Sequence, residues 1–329
     1  MRVRAPAVSI QHSKGVAMAK WVAFVGAMCL AVQAWALPAV TPIQVSANVY
    51  YVQGQAALGS SANQNFISNS GFVVAPDGVV VIDALGSPAV AQRLVDAIHA
   101  ITPKPITHVI LTHYHADHVY GLQVFKDLGA HIIAHESGKV YLNSVDAQTR
   151  LVASRHDMAP WVNADTHLVA ADEWISGPVT RTLSGMVFQV DPVGPAHTPD
   201  DLAIWVPSER VLYSGDLIFS GRLPFVGKAD SSHWVASLEH LLQYGATAVV
   251  PGHGKWSADP RKDIGMVRDY LKYLRETMGA AAADLIPFEE AYAETDWSSW
   301  QAVPMFKVAN RMNAYNTYLL KEQEGLQGK

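Results

Sequence analysis

The sequence predicts an α/β fold, in which strands and helices alternate along the chain. Three observations support this prediction. Short apolar runs rich in valine and isoleucine, at residues 79–82 and 109–112, have the composition of buried strands. Apolar residues recur at helical spacing between such runs, as in residues 90–101. Histidines and aspartates follow directly on several of the predicted strands, which indicates a site at one edge of a sheet.

The first half of the chain contains a predicted hairpin followed by a helix. Two strands, at 72–74 and 79–82, are joined by an Ala-Pro-Asp-Gly turn, in which proline presets φ and glycine allows a positive φ. Ser87 and Pro88 then have the pattern of an N-cap and a first helical residue. The next predicted elements are a strand at 109–112, a helix at 119–128, a strand at 132–134 and a partly helical stretch to about 155.

The second half continues the alternation. Strands are predicted at 202–206, 211–213 and 248–250, and Ser231-Ser232 is predicted to cap a helix. Five apolar residues at intervals of three and four predict an amphipathic helix with a buried stripe. They are Ile264, Val267, Leu271, Leu274 and Met278. A last helix is predicted to pack on the body and to fray from about Glu322. Its apolar positions are Phe306, Ala309, Met312, Tyr315 and Leu319.

Composition narrows the functional class. The chain has 329 residues, of which 50% are hydrophobic and 16% are charged, so it can bury a large core. Its net charge is −5, and the sequence contains no run of lysine and arginine of the kind that binds nucleic acid or anionic membranes. We therefore expect a small-molecule substrate and no nucleic-acid partner. The oligomeric state cannot be predicted from these features.

Residues 1–36 have the pattern of an export signal. Basic residues precede an apolar run at 21–35, which ends in an Ala-Trp-Ala cleavage pattern. The run is shorter than a spanning helix, so we expect cleavage before Leu37, no stable membrane span afterwards, and a periplasmic or secreted protein. Translation starts at Met1 or at Met18. Cys29, the only cysteine, lies inside this segment, so metal ligands in the mature chain must be nitrogen or oxygen atoms.

The segment His-Tyr-His-Ala-Asp-His at 113–118 carries the strongest chemical signal. His113 and His115 point the same way if the strand geometry persists, and the turn toward the next helix brings Asp117 and His118 to a neighbouring point. One segment can thus supply ligands to two metals. Because zinc takes three or four nitrogen or oxygen ligands, more distant residues must complete the site.

Three further candidates stand at junctions between strands and loops. His197, Asp216 and His253 each lie beside small residues, in Ala-His-Thr, Ser-Gly-Asp and Gly-His-Gly contexts. Glycine at such points lets the backbone approach a metal closely. Taken singly, each has an ordinary structural explanation, such as a turn or a surface histidine. Their occurrence together favours a metal site.

These motifs resemble those of the metallo-β-lactamase superfamily, in which H-x-H-x-D-H is followed by separate His, Asp and His motifs. The resemblance spans about residues 44–255 and implies a four-layer αββα sandwich with metals at one edge. We therefore expect a metallo-β-lactamase domain at 37–280 and a C-terminal helical extension packed on it at 281–329.

The resemblance also implies the role of each ligand. It places His113, His115 and His197 on one metal and Asp117, His118 and His253 on the other, with Asp216 bridging. Two Zn²⁺ ions are expected, although iron or manganese also suits such ligands. The metals would lower the pKa of a shared water to about 7, so that a bridging hydroxide attacks the substrate. Asp117 is the expected catalytic residue, which orients the hydroxide and carries a proton.

The sequence indicates the substrate class less clearly than the metal site. The resemblance implies a hydrolase of ester, thioester, lactone or amide-type bonds. A true class B β-lactamase is one alternative, although the chain has Asp216 to Phe219 where lactamases with a cysteine ligand have C-x-x-K. A non-hydrolytic metal-binding or di-iron redox protein is another. The run at 112–123, together with residues 215–219 and 222–227, also looks similar to exported hydrolases of this superfamily associated with quinoprotein or sulfur-oxidation systems.

A loop just after Asp216 provides candidate substrate-binding residues. We expect Arg222, Phe225 and Lys228 to line the substrate mouth and to bind an anionic group. The alternative for this segment is a solvated turn, since arginine and lysine are mostly exposed.

Overall fold

A computed structural model of the chain describes Met1 and residues 40–327. The export signal predicted for residues 1–36 lies outside the described residues, apart from Met1. None of the helices that the structure describes is both long enough and apolar enough to span a membrane.

Two sheets organise the described residues. The first has seven strands in chain order, antiparallel from β1 to β4 and parallel from β4 to β7. Its strands are β1 (Ile43–Gln44), β2 (Val49–Val52), β3 (Ser70–Val74), β4 (Val79–Ile82), β5 (Ile106–Ile110), β6 (His131–His135) and β7 (Glu173–Ile175). The predicted hairpin is present as β3 and β4.

The second sheet has five strands in the order β12-β11-β10-β9-β8. Its strands are β8 (Val179–Leu183), β9 (Met186–Pro192), β10 (Leu202–Val206), β11 (Val211–Ser220) and β12 (Ala248–Gly254). Strands β8 to β11 pair antiparallel, whereas β11 and β12 are parallel.

Helices cover the outer faces of both sheets. Those that follow strands of the first sheet are α1 (Pro88–Ile101), α2 (Ala116–Val119), α3 (Leu122–Asp127), α4 (Gly138–Leu142) and α5 (Val145–Asp157). Those in the second half are α6 (Ser231–Leu241), a short 3₁₀ helix (Leu242–Tyr244), α7 (Pro260–Ala283), α8 (Phe288–Glu294) and α9 (Phe306–Gln327).

Three apolar clusters separate these layers. One lies between the two sheets and includes Tyr51 and Ile204. A second packs α1 and α3 on the first sheet, and a third packs α6 and α7 on the second sheet, with Trp234 fully buried. The order of layers is helix, sheet, sheet, helix, which confirms the predicted αββα sandwich with helices at its C-terminal end. The predicted domain limits at 36/37 and 280/281 stay predictions.

Helix α1 begins at Pro88 with Ser87 in the N-cap position, as predicted, but the hydrogen bonds of two predicted caps differ. The hydroxyl of Ser87 does not cap α1, because it donates instead to the Gln64 carbonyl at 2.8 Å. Helix α6 is capped by Asp230, whose carboxylate accepts from the backbone N–H groups of Ser232 and His233. Sequence position alone could not decide these cases, because a capping side chain has tertiary alternatives.

The buried face of α9 also differs from the prediction. Met312 and Tyr315 are 43% and 44% exposed, whereas Asn310 and Asn313 are fully buried. Nor does the helix end near Glu322, since it continues to Gln327. The apolar pattern misplaced the face because asparagine side chains, which normally favour solvent, have buried partners here.

Candidate metal centre

The chain leaves β5 and turns sharply before α2, and this turn carries four candidate ligands. His115 is the extended residue before the helix, with φ −77° and ψ 150°, and the helix then begins at Ala116. The extended backbone up to His115 and the helical backbone after it direct the side chains into two groups. His113 and His115 belong to one, and Asp117 and His118 belong to the other.

The first group brings together His113, His115, His197 and Asp216, whose ligand atoms all lie within 4.8 Å of one another. His197 lies in the connection between β9 and β10, and its Nε2 is 3.0 Å from Nδ1 of His115. The same Nε2 is 3.4 Å from Oδ2 of Asp216. Three imidazole nitrogens and one carboxylate thus converge on one point.

The second group consists of Asp117, His118 and His253, again within 4.8 Å. Oδ2 of Asp117 lies 3.3 Å from Nε2 of His253 and 3.8 Å from Nε2 of His118. Asp216 also contacts this group, because its Oδ1 is 3.2 Å from Nε2 of His118 and its Oδ2 is 3.3 Å from Nε2 of His253. Asp216 therefore stands between the two groups.

The position of Asp216 in the fold differs from the prediction of a strand end. It lies within β11, where pairing with β12 shifts register on both sides of Gly215, and His253 lies within β12. Gly252 makes this close approach possible, since a Cβ there would be 2.0 Å from Oδ1 of Asp216. Two parallel strands thus carry their ligands side by side.

Several converging atoms make no well-aligned hydrogen bond to any described residue. They are Nε2 of His113 and, although they lie 3.2 Å apart, Nε2 of His118 and Oδ1 of Asp216. Buried polar atoms are normally paired, so atoms of these types aimed at one point fit a divalent cation. This chemistry is what makes the residues suitable for a divalent metal.

The protonation of the two groups differs. Burial lowers the pKa of His113 and of His197, and burial together with the neighbouring His197 lowers the pKa of His115 to about 3. These imidazoles are neutral at neutral pH, which is the form that binds metal.

The second group is held in ion pairs when metal is absent. Burial by itself would lower the pKa of His118 and of His253, but nearby carboxylates, Asp216 foremost, raise both. Burial likewise opposes ionisation of Asp117 and Asp216, but the same imidazoles lower the pKa of each carboxyl. The site therefore favours positive charge between its carboxylates, and metal binding would release protons from the imidazoles.

Asp83 is a site residue that the sequence analysis missed. Its Oδ2 lies 2.9 Å from Nδ1 of His118 and accepts from Thr112 Oγ1 at 2.8 Å. Thr112 Oγ1 in turn lies 3.0 Å from Nδ1 of His113. Nδ1 of each imidazole thus donates away from the site, which leaves Nε2 for a metal. Asp83 directly follows β4, the parallel neighbour of β5, and that placement was the available signal.

Asn69 was missed as well. Its Nδ2 donates to the carbonyls of Pro251 and Gly254, each at 2.8 Å, so it holds the backbone on both sides of His253. Nδ1 of His253 lies 2.7 Å from the Ile67 carbonyl, and its ring stacks on Phe219 at a centroid distance of 4.9 Å. Nothing in the local sequence indicates these contacts.

The substrate-binding candidates occupy different environments. Arg222 is 2% exposed, and its guanidinium carbon lies 5.7 Å and 5.6 Å from the ring centres of Phe219 and Phe225. Its Nε and Nη1 are buried and have no hydrogen-bond partner among the described residues. Burial lowers the pKa of Arg222, whereas Asp216 and Asp117 oppose that shift. Phe225 is half-buried and Lys228 is exposed. The alternative of a solvated turn therefore does not describe Arg222.

The fold and the site together define an αββα protein with a candidate divalent-metal centre. The chain belongs to the metallo-β-lactamase superfamily, whose family model matches residues 64–253. The match begins just before Ile67, whose carbonyl lies beside Nδ1 of His253, and it ends at His253. It contains every candidate ligand.

Proteins similar to the chain carry the names of different enzymes. A linear primary-alkylsulfatase from Pseudomonas sp. (strain ATCC 19151) is 25% identical over 62% of this chain and 45% of its own length. A metallo-β-lactamase type 2 from Elizabethkingia meningoseptica is 29% identical over 58% of this chain and 70% of its own length. The chain thus spans less than half of the alkylsulfatase.

Among solved structures, the stereoselective inverting sec-alkylsulfatase Pisa1 from Pseudomonas sp. aligns with a TM-score of 0.66. Its identity is 18%, and the alignment covers 85% of this chain and 50% of that one. This likeness supports the fold.

Proposed function

We propose that the chain is an exported binuclear zinc hydrolase. The observation that carries this proposal is the position of Asp216, whose two oxygens contact imidazoles of both ligand groups. Two cations held there would lower the pKa of water and polarise the reacting oxygen of a substrate. His113, His115 and His197 would hold one cation, and Asp117, His118 and His253 the other.

Asp117 is the proposed catalytic residue. Its side chain is 13% exposed, against 5% for Asp216, so it is the carboxylate that faces incoming substrate and water. Because the imidazoles of His118 and His253 keep it ionised, Asp117 can orient the attacking water and accept its proton. It can then return that proton to the leaving group.

Metal content tests the two-cation site. Elemental analysis of purified protein should find about two equivalents of zinc per chain, because two groups of three or more candidate ligands are present. Asp117→Asn and His253→Ala should each reduce the content toward one. A folded protein that takes up no divalent metal would contradict the proposal.

We further propose that the substrate carries an anionic group near the reacting bond. Arg222 supports this, because two of its buried donors have no partner among residues 40–327 and a buried unpaired cation is costly. The similarity to an alkylsulfatase favours a sulfate ester or a related anionic ester. The similarity to a metallo-β-lactamase supports β-lactam hydrolysis as a second candidate.

A substrate panel separates these candidates. Metal-loaded protein is assayed on a sulfate ester, a phosphodiester, a thioester, a lactone and a β-lactam, with Asp117→Asn as the inactive control. Arg222→Ala should raise KM for the anionic substrate by about tenfold or more, because a charge-assisted hydrogen bond is lost. Lys272→Ala, an exposed lysine on α7, is the control, and Lys228→Ala tests the second predicted cation of the loop. Equal KM values in wild type and Arg222→Ala would contradict the anion proposal.

Export is proposed from the pattern of residues 1–36. The expected result is a mature chain that begins at Leu37 and is recovered outside the cytoplasm. N-terminal sequencing of the protein from each cell fraction tests this. An uncleaved chain in the cytoplasmic fraction would contradict it.

A further inference from the structure

The loop of residues 221–229 connects β11 to α6 and carries Arg222 and Phe225. It begins at Gly221, whose φ of 69° lets the chain turn away from the strand. The guanidinium of Arg222 has no hydrogen bond to a described residue through Nε or Nη1. Its placement therefore depends on the two aromatic rings beside it and on the backbone of the loop itself.

That backbone is hydrogen-bonded to the C-terminal part of the chain at three points. The N–H of Leu223 donates to the Pro304 carbonyl at 3.0 Å. The N–H of Val226 donates to Oδ1 of Asn313 at 2.9 Å, and Nδ2 of Asn313 donates to the Pro224 carbonyl at 2.7 Å. One asparagine side chain on α9 thus holds the loop on both sides of Phe225.

Asn313 also takes part in the buried contact between α7 and α9. Asn313 is fully buried, and its Nδ2 also donates to the Tyr270 hydroxyl at 3.1 Å. That hydroxyl donates to Oδ1 of Asn310 at 2.8 Å. A buried amide costs free energy unless it is hydrogen-bonded, and Asn313 uses both its donors and its acceptor. The contact is therefore specific in its geometry, unlike an apolar contact.

We propose that Asn313 is a positioning residue for anion recognition, through which α9 sets the place of Arg222 and Phe225 beside the metal centre. This inference rests on the proposed binding of an anionic group by Arg222. It makes the C-terminal helix part of the substrate site, although α9 contributes no ligand to the candidate metal groups. Loss of the Asn313 contacts would free the loop and weaken anion binding while the metal ligands stay in place.

Asn310 offers a matched control. It lies one turn earlier on the same helix, is also fully buried, and bonds to Tyr270 and Tyr292. The hydrogen bonds of its side chain go to these two tyrosines. Asn313→Leu and Asn310→Leu should therefore lose similar stability, but only Asn313→Leu should release the loop.

Two measurements on full-length, metal-loaded protein test the proposal. Amide hydrogen exchange at Val226 should be about tenfold faster in Asn313→Leu than in wild type and unchanged in Asn310→Leu. The Kd for inorganic sulfate should rise about tenfold in Asn313→Leu and stay unchanged in Asn310→Leu, with Arg222→Ala as the reference for lost binding. For an anionic substrate, KM should rise in Asn313→Leu while kcat is kept.

Either of two results would overturn the proposal: exchange at Val226 that is the same in both asparagine variants, or sulfate affinity that falls equally in both. A wild type that binds no sulfate would also overturn it. Absence of turnover would contradict the proposed hydrolase function instead, because exchange and sulfate binding do not require turnover. If Asn313→Leu does not fold, Asn313→Ala and Asn310→Ala repeat the comparison with smaller side chains.

Discussion

Asp83 and His118 are joined by a buried hydrogen bond, with Asp83 Oδ2 2.9 Å from His118 Nδ1. The same carboxylate accepts from the backbone N–H of Thr112 at 2.7 Å, and the Thr112 hydroxyl reaches His113. One aspartate therefore orients an imidazole in each ligand group. This relationship links the two halves of the site through the ends of β4 and β5.

Asp83→Asn should weaken metal binding at the second group by about 10–100-fold, because the amide orients His118 less well than a carboxylate does. Asparagine also tolerates the φ of 62° at this position, so the backbone should be kept. Competition with a chelator measures the affinity. Asp172→Asn is the control, because Asp172 also accepts from a backbone N–H, that of Ile132 on β6, a strand that carries none of the candidate ligands. Equal metal affinity in wild type and Asp83→Asn would contradict this role.

Gly252→Ala should abolish binding of at least one metal, since its Cβ would lie 2.0 Å from Oδ1 of Asp216 and must displace that carboxylate. Elemental analysis and thermal unfolding measure the effect. Gly177→Ala is the control, because a Cβ there would meet no atom within 4 Å. Full metal content in Gly252→Ala would show that the strand can shift to accommodate the methyl group.

Asn69→Ala should lower the free energy of unfolding by about 2–4 kcal/mol, because it leaves buried carbonyls beside His253 without donors. It should also lower metal affinity, since the backbone around His253 loses its support. Asn63→Ala is a close control: Asn63 is buried, and its side chain donates to the Leu58 carbonyl and accepts from Ser60. Denaturant unfolding should show a loss in both variants, whereas chelator competition should detect a change in Asn69→Ala alone.

The buried carboxyl of Asp200 should make stability fall as the pH rises. Burial raises the pKa of Asp200 to about 6, so the folded protein binds a proton that the unfolded chain has already lost. This contribution to stability is present below the ordinary aspartate pKa near ~4 and is lost as the pH rises through about 6. A shift of this size corresponds to about 3 kcal/mol at most.

The stability of Asp200→Asn relative to wild type should therefore increase as the pH is raised from about 4.5 to about 7. Urea unfolding of metal-free protein at both pH values measures the difference. Asp172→Asn is the control: burial raises the pKa of Asp172, but the Lys126 contact outweighs it and lowers that pKa, so its contribution to stability is lost only below about pH 4 and should hardly change over this range. A stability difference between Asp200→Asn and wild type that does not change with pH would contradict the assignment.

Much of the architecture follows from local sequence patterns. The hairpin of β3 and β4 follows from two short apolar runs and a Pro-Asp-Gly turn, and the core stripe of α7 follows from its helical spacing. The α/β class and the superfamily resemblance rest on the same local signals. The seven candidate ligands were also identifiable, because their motifs occur together in the order that the superfamily shows, although each has an ordinary explanation when taken singly.

Other features depend on contacts between residues far apart in the chain. Asp83 meets His118 across 35 positions, and Asn69 meets Pro251 across 182. Such partners are ordinary polar residues in their own segments, and only strand pairing selects them. The buried face of α9 also depends on distant residues, because the side chain of Asn313 is buried where it hydrogen-bonds to the backbone of Pro224 and Val226.

The sequence alone thus determined the class of fold, the superfamily and the set of side chains able to bind metal, since these depend on residue type and short-range spacing. The tertiary structure decided which imidazole each carboxylate orients, that Arg222 is buried with two donors that meet no acceptor in the described part of the chain, and that α9 supports the loop. The physical reason is that the free energy of a buried polar group depends on the partners that folding brings to it.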